Sequence, residues 1–117
     1  MTLKSLLYYA ALGSTIAIFI GCSIPGKQVP TVFSASDKLT HVFIFAVFGG
    51  LWYLNGYKAW RVLLAGIGYG ILIEIWQGSM PINRSFDLYD ALADSIGTAA
   101  GIGVAMLLAR WLPIRTA

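Results

Sequence analysis

All five acidic residues of the chain and its one histidine fall into three short stretches: Asp37 with His41, Glu74, and Asp87 with Asp90 and Asp94. These are the residue types that move protons, bind cations or orient one another. Asp37 and His41 are four apart, so on a helix they share a face, with His41 roughly 6 Å deeper. Asp37 can cap a helix and favour its dipole, but that does not account for His41, which lies inside an apolar run. Glu74 sits in Ile71-Leu72-Ile73-Glu74-Ile75-Trp76, near the expected C-terminal end of its helix. Both the dipole and the apolar surroundings disfavour its charge there. It therefore needs a cation, a metal or a proton, and Lys38, Arg84 or His41 could supply the partner. Gln77, three residues on, shares its face. Asp87 and Asp90 resemble a capping pair at a helix start. Asp94 lies roughly 10 Å deeper than Asp87, beyond the reach of capping, and is expected to face the bundle interior and pair with His41, Lys38 or a polar ligand.

These residues must be positioned by segments that read as membrane spans. The 117 residues are 58% hydrophobic and only 11% charged, with a mean hydropathy of +0.76. A soluble domain of this size would need more charge to cover its surface. Four apolar runs are visible, Leu3 to Cys22, Leu39 to Leu54, Val62 to Ile75 and Leu88 to Leu112, separated by turn signals at Ser23-Ile24-Pro25-Gly26, Asn55-Gly56 and Gln77-Gly78. Each is about 16 to 25 residues long, enough to cross a hydrocarbon core of about 30 Å with tilt or snorkelling. Backbone groups in lipid must be bonded within the segment, so the runs are expected to be helices, and they lack the alternation of barrel strands. The predicted fold is all-α: a single domain over residues 1–117, an integral membrane four-helix bundle.

With an even number of spans both termini share a side. Lys4, Lys58, Arg61, Arg110 and Arg115 lie on it, against Lys27, Lys38 and Arg84 on the other. The positive-inside rule then places both termini in the cytoplasm and the acidic cluster at the non-cytoplasmic face. The net charge of +3 is spread over helix ends, as topology determinants are, which argues against nucleic acid as a partner. The single cysteine, Cys22, excludes a disulfide within the chain and, with one histidine, a Cys/His zinc site. The first run is read as a span and Cys22 as a helix-end residue. Lipidation of Cys22 after cleavage is the alternative, and Phe19 three residues before it fits that pattern poorly. Trp52, Tyr53, Tyr57 and Trp60 read as an interfacial aromatic belt. Gly97-Thr-Ala-Ala-Gly101 and Gly66-Ile-Gly-Tyr-Gly70 are G-x-x-x-G patterns, expected to serve packing within the chain, with homodimerisation through Gly97 and Gly101 as the sharper alternative.

The helix starts that carry Asp37 and Asp90 point at one face, with Lys38 and Arg84 beside them. Phosphate or carboxylate would be attracted there, while the acids could instead hold a hard cation through oxygen ligands. No cofactor is specified by these residues, and metal dependence is left open. Two stretches resemble the VanZ-like family of small membrane proteins: Asp37-Lys38-x-x-His41 running to Gly49, and Glu74-x-x-Gln77 followed by Arg84-x-x-Asp87-x-x-Asp90, Asp94 and Gly97-x-x-x-Gly101. Family members often carry Asn where this chain has Asp94. The resemblance implies a bacterial cell-envelope protein in the cytoplasmic membrane. It also implies a link to resistance to the lipoglycopeptide antibiotic teicoplanin, acting apart from replacement of the peptidoglycan terminus.

Three roles suit the residues. In an enzyme acting on a lipid-linked, phospholipid or cell-wall precursor head group in the outer leaflet, His41 would be acid, base or nucleophile, oriented by Asp37 or Asp94. Glu74 would be a second acid/base, and Lys38, Gln77, Arg84, Asp87 and Asp90 would bind substrate. Ser36, Ser79, Ser85 and Ser95 lie near in sequence, none in a nucleophile elbow. In a non-catalytic protein the same cluster would bind a membrane lipid, an envelope precursor or an antibiotic. In an accessory subunit it would hold the bundle together.

Overall fold

The computed structural model describes residues 2–23, 34–79 and 88–111, with side chains from residue 38 onward in the second segment. Every described element is helical: α1 (Leu3–Cys22), α2 (Ser34–Leu54), α3 (Ala59–Ser79) and α4 (Leu88–Leu108). Successive helices run antiparallel. Helices α1, α3 and α4 are each long and apolar enough to cross a membrane, and Lys38–Leu54 forms the shorter apolar part of α2. Large apolar side chains stand outward on all four helices, among them Ile20, Phe43, Leu72 and Leu107, as expected where lipid is the solvent. The fold is the four-helix bundle that the apolar runs predict.

The helix ends follow local chemistry. Thr2 caps α1, its hydroxyl accepting from the Ser5 amide at 3.1 Å. Gly56 ends α2 with φ at 99°, a conformation that favours glycine. Its amide donates to the Tyr53 carbonyl at 3.0 Å. The Asn55 amide side chain donates to the carbonyls of Leu51 and Leu7, joining the turn to α1. Helix α3 is longer at both ends than the apolar run Val62 to Ile75, and at its C-terminal end buried Gln77 continues its inner face. Helix α4 ends four residues before Leu112; its final turn tightens through Arg110 N–H to Leu107 O and Trp111 N–H to Leu108 O.

Packing is tightest between α2 and α4. A Cβ built on Gly97 would strike the Val42 carbonyl oxygen, and one on Gly101 the Ala46 carbonyl oxygen. From the other side, a Cβ on Gly49 would lie 2.6 Å from the Thr98 carbonyl oxygen. The Gly97/Gly101 stripe is therefore filled by α2 of the same chain, backbone against backbone. Gly66 and Gly70 do the same for α3 against α4, facing Thr98 and Asp94. Helix α1 is more loosely seated and is joined by side-chain hydrogen bonds: Trp52 Nε1 to Thr15 Oγ1 at 3.0 Å, Tyr69 Oη to the Thr15 carbonyl at 2.6 Å and Trp76 Nε1 to Ser23 Oγ at 3.0 Å.

The expected aromatic belt divides. Tyr57 and Trp60 are exposed, Trp52 is half-buried, and Tyr53 is buried with Leu54, Val62, Ile102 and Ala105. Tyr53 follows Trp52 by one residue, so the helical turn of about 100° per residue carries it to the inner face.

The glycine contacts make a stability prediction. Gly101→Val should destabilise the detergent-solubilised protein by about 3 kcal/mol or more, since neither backbone can retreat without opening the α2–α4 seam. Gly103, with open space at its Cβ, should accept alanine with little change or a gain of up to about 1 kcal/mol. Thermal denaturation followed by circular dichroism checks both, and equal effects at the two glycines would contradict this packing.

Candidate functional site

Antiparallel order brings the early part of α2, the late part of α3 and the early part of α4 to one end of the bundle. His41 lies seven residues into α2, Glu74 five before the end of α3, and Asp94 six into α4. At 1.5 Å per residue these positions lie about 7–10 Å from the helix ends, at nearly one depth. There the three side chains converge. One donor atom from each lies within 4.8 Å of the others. Glu74 and Asp94 are each 0% exposed and His41 is 3% exposed. Glu74 Oε1 and Asp94 Oδ2 are both sealed from solvent.

His41 Nδ1 and Asp94 Oδ1 are 2.7 Å apart, a short, charge-assisted distance. With Asp94 ionised, Nδ1 carries the proton and donates it, which fixes the ring orientation. Asp94 is itself held. Its carbonyl accepts from Thr98 Oγ1 at 2.8 Å. Its carboxylate lies against Gly70, where a Cβ would stand 2.8 Å from Asp94 Cβ and 2.9 Å from Oδ2. Gly70 is one turn before Glu74, so the gap it leaves on α3 is what lets the two carboxylates share one pocket.

Towards the helix ends lies a second polar layer. Lys38 Nζ pairs with Asp90 Oδ1 at 3.0 Å, linking the starts of α2 and α4. Gln77 is buried, and its side-chain nitrogen donates to the Cys22 carbonyl at 2.9 Å, tying α3 to the last turn of α1. The hydroxyls of Ser79 and Ser95 donate to carbonyls one turn back in their own helices, those of Ile75 and Ala91. Asp37 lies in α2, its side chain outside the described residues, and Arg84 and Asp87 also lie outside them. The structure thus unites His41, Glu74 and Asp94. It pairs Lys38 with Asp90 and directs Gln77 at α1.

A groove of about 400 Å³ runs between α1 and α2, lined by Ala17, Ile18, Cys22, Phe43, Ile44 and Val47 among others, and it reaches His41 and Thr40. Its walls are mostly apolar. His41 therefore belongs both to the buried cluster and to a mostly apolar groove. Gly70 and Thr98 escape a reading by reactive residue types, although the Gly66-x-x-x-Gly70 pattern marks that face of α3. The groove escapes it as well, since its walls are ordinary apolar side chains and only the packing of α1 on α2 creates it.

A bundle of apolar helices, three of them long and apolar enough to cross a membrane, around a buried His–Asp–Glu cluster has the character of a membrane protein. A profile of the VanZ/LLP1 family matches residues 4–109, nearly the whole chain, and the chain belongs to that family. No curated protein and no solved structure shows significant similarity to it.

The two polar layers should differ in energetic weight. Asp94→Ala removes one partner of a buried pair and should cost about 3–5 kcal/mol. Asp90→Ala breaks a pair whose lysine is 39% exposed and should cost about 0–1 kcal/mol. Chemical denaturation in mixed micelles compares them, and a larger loss at Asp90 would reverse the assignment of the core pair.

Proposed function

We propose that this VanZ/LLP1 membrane protein takes an amphiphile with its hydrocarbon chain in the α1–α2 groove and carries out acid–base chemistry on the head group at His41. The observation that carries this reading is that one side chain, His41, lines the apolar groove and also completes the buried pair with Asp94. A chain seated between Phe43, Ile44, Val47 and Ile18 delivers its polar end to the imidazole. In hydrolysis of a head-group ester, His41 Nε2 accepts a proton from the attacking water as its oxygen bonds to the ester carbon or phosphorus, and Asp94 stabilises the imidazolium. A protonated Glu74 gives its proton to the leaving oxygen as that bond breaks, and His41 then passes its proton back to Glu74. Lys38, at the outer layer, favours an anionic head group.

The amphiphile class is a phospholipid or lipid-linked envelope precursor. The site faces the non-cytoplasmic side of the bacterial cytoplasmic membrane, with both termini in the cytoplasm. A lipoglycopeptide such as teicoplanin combines the same two features, an acyl chain and a polar head. The phenotype implied by the family resemblance would follow from altered handling of the antibiotic or of the precursor it engages. Non-catalytic binding in the same groove is the nearest alternative and is an outcome of the tests below.

Native mass spectrometry of gently extracted protein should show a co-purifying lipid in the wild type. Ala17→Trp, which fills the groove, should remove it while helicity stays unchanged. His41→Ala and Glu74→Gln should retain the lipid but abolish its conversion; unchanged conversion in both would refute the roles given to these residues, and no conversion by the wild type would leave only the binding role. No lipid in any form would refute the groove assignment. In a Cys22→Ala background, Ser79→Cys should react with an impermeant maleimide from outside the membrane. Labelling from the cytoplasm alone would invert the orientation.

A further inference from the structure

We infer that His41, Glu74 and Asp94 form a binding site for one divalent transition-metal ion, of the zinc or manganese class. The inference deepens the proposed function by naming a cofactor for the same cluster; with the ion bound, His41 and Glu74 act as its ligands and a metal-bound water takes over the part that reading gives to His41 as base. It stands on the donor geometry and not on the occupant of the groove. Three observations carry it.

First, the donors come from three different helices and still meet within 4.8 Å, at one depth, with all three residues buried. A small inward adjustment brings such a set to the roughly 3–3.5 Å spacing of ligand atoms on a metal with bonds of about 2.0–2.2 Å. Second, the pocket is shaped around a carboxylate oxygen. Gly70 leaves open the place where any side chain would crowd Asp94 Oδ2, and Glu74 lies one turn further along α3. Third, the charges balance: two carboxylates and a neutral imidazole around a divalent ion form a neutral unit, the state an apolar bundle tolerates best.

The donor set selects the metal class. Imidazole with carboxylates suits zinc and manganese. An all-oxygen shell would point to calcium or magnesium, and thiolate to a softer ion. Three protein ligands leave a coordination position open for water or a head-group oxygen, the pattern of catalytic rather than structural zinc. A water bound there would ionise near neutral pH and supply the nucleophile for hydrolysis at a head group. His41 Nδ1 and Asp94 Oδ1, 2.7 Å apart, would become neighbouring ligands of the ion, which takes the place of the proton between them.

The test uses full-length protein in detergent, stripped with EDTA and titrated separately with ZnCl2 and MnCl2 by calorimetry. Saturation at one ion per chain is expected for each, with zinc bound more tightly. Glu74→Gln and Asp94→Asn should each weaken binding at least about tenfold. Electron spin-echo measurements on the manganese-loaded wild type keep the inference falsifiable if those variants fail to fold: modulation from one imidazole nitrogen is expected. No saturable binding by folded wild type, or saturable binding without that nitrogen signal, would overturn the site. Lipid retention, measured on the same stripped protein, reports on the groove separately. Metal bound without lipid rejects only the amphiphile reading, and lipid retained without metal rejects only this one.

Discussion

The backbone contact between α2 and α4 fixes nearly everything else in the molecule. Where lipid is the solvent, helices gain little from burying apolar surface against one another, and close packing must supply the association. Gly97 and Gly101 let α4 ride directly on the carbonyls of Val42 and Ala46. His41 is the residue before Val42, and Asp94 is one turn before Gly97. The Gly97–Val42 contact therefore lies beside the His41–Asp94 pair and helps to set their 2.7 Å separation. Longer residues at the glycines would part the helices by ångströms and leave both polar groups buried without each other.

Helix α3 is positioned by the same device in a different register. Gly66 receives Thr98, and Gly70 receives Asp94, so α3 meets the face of α4 that already carries the cluster. Glu74 then arrives one turn later. Helix α1 is attached by polar contacts from Trp52, Tyr69, Trp76 and Gln77. Grooves border both the α1–α2 and the α2–α4 contacts, the latter of about 340 Å³ beside Gly50 and Gly101, but of the two it is the α1–α2 groove that is lined by His41. The closely packed helices α2, α3 and α4 hold the cluster, and α1, joined by side-chain hydrogen bonds, borders the groove that reaches His41.

Much of this was legible in the sequence. The apolar runs fixed the number of helices, and their alternation in direction put His41, Glu74 and the acids of the last helix at one end. Asp94 could be assigned to the interior because its depth excluded capping. The pairings were less legible. Lys38 meets Asp90, His41 meets Asp94 and Gln77 meets the Cys22 carbonyl because of how far each helix is rotated about its axis. That rotation is set by glycine contacts between segments far apart in the chain. Tyr53 illustrates the same limit: composition assigned it to a belt, whereas its azimuth placed it in the core.

The cluster also imposes a condition on its own folding. Desolvating two carboxylates costs several kcal/mol each unless positive charge accompanies them, and a domain of this size is stable by only about 5–15 kcal/mol in total. Glu74 and Asp94 are both fully buried, so the protonation or metal occupancy of the His41 cluster is linked to the stability of the whole bundle. A site retained only to hold helices together would gain from replacement by well-packed apolar side chains, which carry no such condition. A site that exchanges protons or coordinates an ion has to keep its charges and admit a ligand beside them. The apolar groove reaches His41 while both carboxylates stay buried, the arrangement on which the proposed acid–base role rests.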